Sequence, residues 1–220
     1  MKKLLLPVFV SLCVSAFAQD PDKFDWVSHQ NITSFAAGRY YVDFNALNTQ
    51  LSLWGAKKTF PEYYYMVGTS GTVGESKHGN WDVATSLEFM IPQEVSIGSN
   101  DSLNFRMRGW HFMSSAFGKD VIPGKAVALV LAPGIDWGTT KIVRTLGGSE
   151  AKYKNPFVSP LVRADLRFMF GKFAFGARAL YRYDITHSIW KRREDGMAVL
   201  PGTKMSGLGL QVFIGWVAKS

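Results

Sequence analysis

The stretch from Leu161 to Asp184, LVRADLRFMFGKFAFGARALYRYD, alternates apolar and polar residues on both sides of Gly171-Lys172. A period of two belongs to strands and not to helices, so the stretch predicts a hairpin. Glycine at the first position of a two-residue loop suits a type II′ turn, because it takes the required positive φ without strain. A two-residue turn also fixes the register. Phe170 then faces Phe173, Phe168 faces Phe175, Leu166 faces Ala177 and Val162 faces Tyr181, which makes one face apolar. The other face pairs Asp165 with Arg178 and carries Arg163, Arg167 and Arg182.

Two environments accept such a ribbon. A soluble barrel or sandwich puts its apolar face inside, whereas a membrane barrel turns that face to lipid and encloses the charges. The aromatics favour the membrane, since Phe170, Phe173 and Phe175 lie at one end, Tyr181 and Tyr183 at the other, and Ala177 and Ala179 between. At about 3.3 Å per residue and a tilt near 40°, Phe175 to Tyr183 rises roughly 20 Å, close to the ~25 Å apolar band of outer-membrane barrels.

The first 18 residues have the layout of a secretory signal peptide: Lys2 and Lys3, an apolar run from Leu4 through Val14, then Ala16-Phe17-Ala18. Cleavage is expected after Ala18. The single cysteine, Cys13, lies within that run, so the exported chain is expected to carry no thiol, disulfide or cysteine metal site. Without Lys2 and Lys3 the 25 basic residues become 23 against 17 acidic, a net charge of +6 instead of +8. A basic exported protein meets anionic lipid or acidic polysaccharide before it meets nucleic acid. No later apolar run approaches the roughly 20 residues of a spanning helix, so entry into a membrane requires a closed barrel.

Residues 19–37 are polar and aperiodic and read as a flexible lead-in, with residues 38–220 as the barrel. Gly38 to Gly55 reads as one bulged strand or as a hairpin turning at Asn48-Thr49. Pro61 to Gly68 is a short aromatic strand. Trp81 to Ile91 alternates cleanly and sets Asp82 and Glu88 on its polar face. Leu103 to Met113 places Leu103, Phe105 and Met107 against Asn104, Arg106 and Arg108, and Lys125 to Leu146 reads as one strand prolonged beyond the membrane. Gly147 to Pro156, with Lys152 and Lys154, reads as a loop. His187 to Lys204 is a longer one carrying Lys191-Arg192-Arg193, and Met205 to Val217 closes the chain with Leu208, Leu210, Val212, Ile214 and Trp216 outward. Counting back from that strand predicts eight strands, or ten if Gly38 to Gly55 forms a hairpin. The connections near Thr69 to Asn80 and Ser114 to Gly124 are long for the periplasmic side of such a barrel.

The leader, the alternating segments, the end-placed aromatics and the apolar closing strand resemble the small outer-membrane β-barrel proteins of the OmpA and OmpX type. The resemblance implies an all-β fold, a closed antiparallel up-and-down transmembrane barrel. Those barrels usually finish on an aromatic residue, whereas here Trp216 precedes Val-Ala-Lys-Ser. An eight-stranded barrel is narrow enough for side chains to fill it. Its lumen is expected to hold Asp43, Asp82, Glu88, Arg106, Arg108, Arg163, Asp165, Arg167, Arg178 and Arg182 as one hydrogen-bonded network, because an unpaired charge away from water costs several kcal/mol. No wide diffusion pore is expected.

Little else in the sequence carries chemistry. His29, His78, His111 and His187 lack metal-ligand spacing, and no phosphate-binding glycine loop occurs, so no metal or cofactor is expected. His111 with Ser114 or Ser115 is the one pair that fits an outer-membrane lipid-modifying enzyme. The leading expectation is a non-enzymatic outer-membrane protein with a structural, adhesive or complex-subunit role. Its expected partners are outer-membrane lipid and lipopolysaccharide, met in part by Lys191, Arg192 and Arg193, and an envelope protein, with no nucleic acid. A secreted or periplasmic soluble barrel binding an apolar ligand is the alternative from another class.

Overall fold

The computed structural model describes residues 31–54, 56, 58–76, 79–97, 103–120, 127–170, 172–186 and 189–218. The leader, Cys13 and Gly171 lie outside them. In chain order the elements are β1 (Asn31–Tyr41), α1 (Asn45–Leu53), β2 (Tyr63–Ser76), β3 (Gly79–Met90), β4 (Gln93–Ile97), β5 (Leu103–Asp120), β6 (Val127–Leu146), β7 (Ser149–Phe170), β8 (Phe173–Arg182), β9 (Trp190–Arg192), β10 (Ala198–Leu200) and β11 (Gly207–Ala218). Strands β1, β2, β3, β5, β6, β7, β8 and β11 each pair antiparallel with the next, and β11 returns to β1. The result is a closed eight-stranded barrel with no free edge in its wall. Short β4 adds to β5, and β9 with β10 adds to β7.

The hairpin register follows from its two-residue connection. Phe170 pairs with Phe173, Phe168 with Phe175, Asp165 with Arg178 and Val162 with Tyr181. Sidedness is decided by burial: Arg163 is 0% exposed and Arg178 2%, whereas Phe175 is 45% exposed. The enclosed face is charged and the outer face apolar, the reverse of a soluble barrel. Leu208, Leu210, Val212, Ile214 and Trp216 continue the outer belt on β11, while Gln211 and Phe213 point inward.

The two ends of the barrel differ. Asn31, Ala218 and the C-terminal ends of β2, β5 and β7 share one end. The other end holds α1, β4, the Gly147-Gly148 turn and the segment from Tyr183 to Ser206. Here β5, β6 and β7 run past the barrel and roof it with a dome. Phe44, Leu47, Leu51, Phe60, Phe105, Met107, Trp190 and Met205 form the dome's apolar core, and Trp54 stacks on Phe105 at 5.7 Å between centroids.

Several sequence expectations are corrected. The first strand begins at Asn31, inside the stretch read as a lead-in. Asn48-Thr49 is not a turn but part of α1, where Leu47 and Leu51, four residues apart, share the buried face. Asn48 exchanges hydrogen bonds with the Phe60 backbone at 2.8 and 2.9 Å and so anchors the return to β2. The two connections that looked long are mostly strand, since β2 runs to Ser76 and β5 to Asp120. Their small polar residues suit a polar lumen: Ser70 and Thr72 are buried, and Ser34 Oγ lies 2.7 Å from Ser70 Oγ. Likewise only Gly147 and Gly148 form a turn before β7, and Lys152 and Lys154 belong to a strand.

Candidate functional site

The lumen is filled in layers. Nearest Asn31 and Ala218, Ile32, Ala174 and Val217 pack with Met169 as an apolar plug. Above it, Asp82 Oδ1 accepts from Arg163 Nη2 at 2.6 Å, and its Oδ2 accepts from Arg167 Nη1 at 2.7 Å. Asp165 accepts from Arg178 Nε at 2.8 Å and from Arg167 Nη2 at 3.0 Å. Alternation along β7 aims Arg163, Asp165 and Arg167 inward only because it interposes Ala164 and Leu166 on the outer face.

The next layer is uncharged except for Glu88. Gln211 Nε2 donates to Glu88 Oε2 at 2.8 Å and to Tyr40 Oη at 3.1 Å, and Tyr40 donates to the same carboxylate oxygen at 2.8 Å. Beneath the dome, Arg182 bonds Asp136 at 2.6 Å, donates to Tyr64 and reaches His111 Nδ1 at 2.7 Å. Tyr40 stacks on Tyr64 with ring centroids 5.6 Å apart, and the Arg182 guanidinium lies 4.7 Å from the Tyr40 ring centroid. Phe157 closes this layer against His111, 4.8 Å between centroids. Arg163, Arg167, Arg178 and Arg182 thus pair with Asp82, Asp165 and Asp136, while Glu88 is held by the neutral donors Tyr40, Ser86 and Gln211, so the network encloses four charges of each sign. Breaking any such pair leaves an uncompensated buried ion.

Seven of the ten expected lumen residues take these places. Asp43, Arg106 and Arg108 do not. Asp43 is exposed and accepts from the Asn45 backbone N–H at 2.8 Å, at the start of α1. Arg106 is exposed and pairs with Glu94 at 3.2 Å, and Arg108 is exposed beside it. The cause is a reversal of environment. Above the membrane band the dome is packed like a soluble protein, so Phe105 and Met107 turn inward and the arginines face water. Tyr40, Val42 and Phe44 are buried for the same reason, while Tyr41 and Asp43 face out.

Gln211 follows from the inward phase of the closing strand, but three other members of the network carried no signal of their own. Tyr40, Tyr64 and Asp136 sit on inward phases of strands whose neighbours are apolar, and only the phase itself could have placed them. Lys191 is exposed, Arg192 bonds Asp195 through Nε at 3.0 Å, and Arg193 is exposed just after β9. The hydrogen bond from Arg192, with the Met197 backbone N–H behind it, holds the Asp195 carboxyl below the usual carboxylate range. His111 is not assembled with a serine. Ser115 lies four residues along the strand, about 13 Å away, and donates to the Ala84 carbonyl, while Ser114 has the opposite phase. Among the described residues, no group of three or more His, Cys, Asp or Glu side chains is placed to hold a metal ion, and no helix is long and apolar enough to cross a membrane.

Comparison of the sequence with protein families finds no match, and comparison with curated proteins finds none. Among solved structures, the chain resembles Ail, the attachment invasion locus protein of Yersinia pestis, in its complex with the heparin analogue sucrose octasulfate. The likeness covers 87% of this chain and 100% of that one at 12% identity, with a TM-score of 0.53. Neisserial surface protein A aligns over 87% of this chain and 97% of its own at 11% identity and TM-score 0.45. The N-terminal β-barrel domain of Pseudomonas aeruginosa OprF aligns over 87% and 99% at 14% identity and TM-score 0.40. The likeness to Ail is one of fold: a small barrel of the outer-membrane type.

Proposed function

We propose that the protein is an integral outer-membrane barrel, closed to solutes and without catalytic activity, whose working surfaces are its dome and outer wall. One observation carries the reading: apolar side chains surround the barrel while a charge-balanced network fills it from one plug to the other. A diffusion pore needs water along its axis, and here Arg163 and Arg182 are fully buried in ion pairs instead. An apolar ligand entering at mid-barrel would meet buried ion pairs and hydrogen-bonded polar side chains.

The dome lies at the end opposite Asn31 and Ala218, on the side where outer-membrane barrels carry their longer, extracellular loops. A structural or surface-contact role follows from that placement, and the likeness in fold to a protein crystallised with a heparin analogue is in keeping with it. The test is reconstitution of the exported chain into lipid vesicles. Heat-modifiable gel mobility with no steady conductance across a planar bilayer is the expected result. A stable open channel, or a protein that stays soluble without detergent, would overturn the reading.

A further inference from the structure

The outer face just above the apolar belt carries a row of cations that strand register alone brings together. Arg108 on β5 pairs with Lys141 on β6, Lys141 with Lys154 on β7, and Lys154 with Lys191 on β9. Four neighbouring strands thus place four cations side by side. At about 4.8 Å between strands, they extend over roughly 14 Å.

Like charges directly opposite one another destabilise a sheet. The outward neighbours one step further along the strands are Arg106, Val143, Lys152 and then Arg193, whose backbone N–H bonds the Lys152 carbonyl at 2.8 Å. Glu94 and Glu150 pair with Arg106 and Lys152, in that upper rank and not in the row itself. Four adjacent cations without an intervening acid make a surface fitted to an anion.

The level of the row selects which anion. Two residues below Arg108 stands Trp110, whose ring packs edge-on against Trp137 at 5.4 Å, and Phe112 also lies against Trp137 at 5.4 Å. Outward aromatics of this kind mark the boundary between acyl chains and headgroups. The row therefore begins at headgroup depth. Strand tilt of about 35–45° carries Lys141, Lys154 and Lys191 obliquely away from the belt, so the cations meet several depths of the headgroup layer.

We propose that Arg108, Lys141, Lys154 and Lys191 form a docking row for the phosphate groups of a multiply phosphorylated glycolipid in the outer leaflet. The girdle tryptophans seat the base of its acyl chains, and the oblique row takes anionic groups at successive depths. This rests on the reading of the chain as an outer-membrane barrel, and it names a partner for the wall of that barrel.

The test uses the exported chain refolded in vesicles of phosphatidylcholine containing either diphosphorylated lipid A or the same lipid stripped of phosphate. Lipid retained by the detergent-extracted barrel is counted by native mass spectrometry. Retention of the phosphorylated form only, reduced about five-fold for each cation neutralised in Lys141→Gln and Lys154→Gln, is the expected result. It should also fall as salt is raised, in the unaltered protein as well as in any variant, so the outcome does not depend on the variants folding. Lys172→Gln, which removes an exposed cation in the turn between β7 and β8 at the opposite end of the barrel, should retain lipid normally. Equal retention of both lipids, or tight binding of soluble sulfated polysaccharide with no lipid retained, would overturn the docking row alone. Failure to form a heat-modifiable species in any vesicle would overturn the barrel reading with it.

Discussion

Asp82 on β3 holds two arginines of β7 at once, Arg163 at 2.6 Å and Arg167 at 2.7 Å, from 81 and 85 residues away along the chain. One carboxylate thereby ties opposite parts of the wall together across the lumen. Asp82→Asn strips its charge and leaves two buried guanidinium groups short of a counter-ion, which is expected to cost roughly 3–5 kcal/mol. The urea midpoint of unfolding from vesicles measures it. Adding Arg163→Met to the same chain should restore part of the loss, because an apolar replacement removes one of the stranded charges.

The Gly147-Gly148 turn has φ of +53° and +86°, positive at both positions as a type I′ turn requires. A side chain at either place would meet no atom within 4 Å. Any penalty is therefore a backbone penalty. Gly147→Asn should be tolerated, whereas Gly148→Val should cost about 1–3 kcal/mol, read from the same unfolding midpoints.

The dome and the barrel are separate seals. Leu51→Ala empties part of the dome's core and is expected to cost about 2–5 kcal/mol, appearing as faster proteolysis within α1. Conductance should stay at baseline, since the ion pairs beneath do not depend on Leu51. A variant that conducts as soon as its dome loosens would show that the lumen network is not itself a barrier.

Lipid-facing and dome-facing surfaces should respond oppositely to charge. Val212 is 65% exposed on the outer face of β11, between the aromatic ends of the wall. Val212→Arg there is expected to cost about 2–4 kcal/mol in a bilayer. Lys58→Asp, on an exposed residue after α1, should leave the unfolding midpoint within experimental error.

The membrane zone of this chain was legible because its periodicity and its aromatic ends agree. The register from Phe170–Phe173 to Val162–Tyr181, the phase of β11 and the strand count follow from them. The dome was not legible for a physical reason. A period of two says which residues share a face but not which face meets water, and the preference reverses where β5 leaves the bilayer. Phe105 and Met107 thus read as lipid-facing when they are core, and Arg106 and Arg108 as lumenal when they are exposed. Helix α1 left a fainter trace, Leu47 and Leu51 at helical spacing within a nine-residue segment. Lys152 and Lys154 read as loop residues beside Gly147-Gly148, although their alternation with Tyr153 has the strand period.

The central claim concerns which face of the wall meets lipid, and spin labels placed one at a time along β11 test it. With Cys13 replaced by Ser, the chain carries no other cysteine, so each label reports one site. In vesicles, labels at Leu210, Val212 and Ile214 should collide freely with oxygen and hardly with a water-soluble nickel complex, while labels at Gln211 and Phe213 should collide with neither. Nickel accessibility at Leu210, Val212 and Ile214 equal to that of a label at Lys204 would mean that the apolar belt faces water, and would contradict the account.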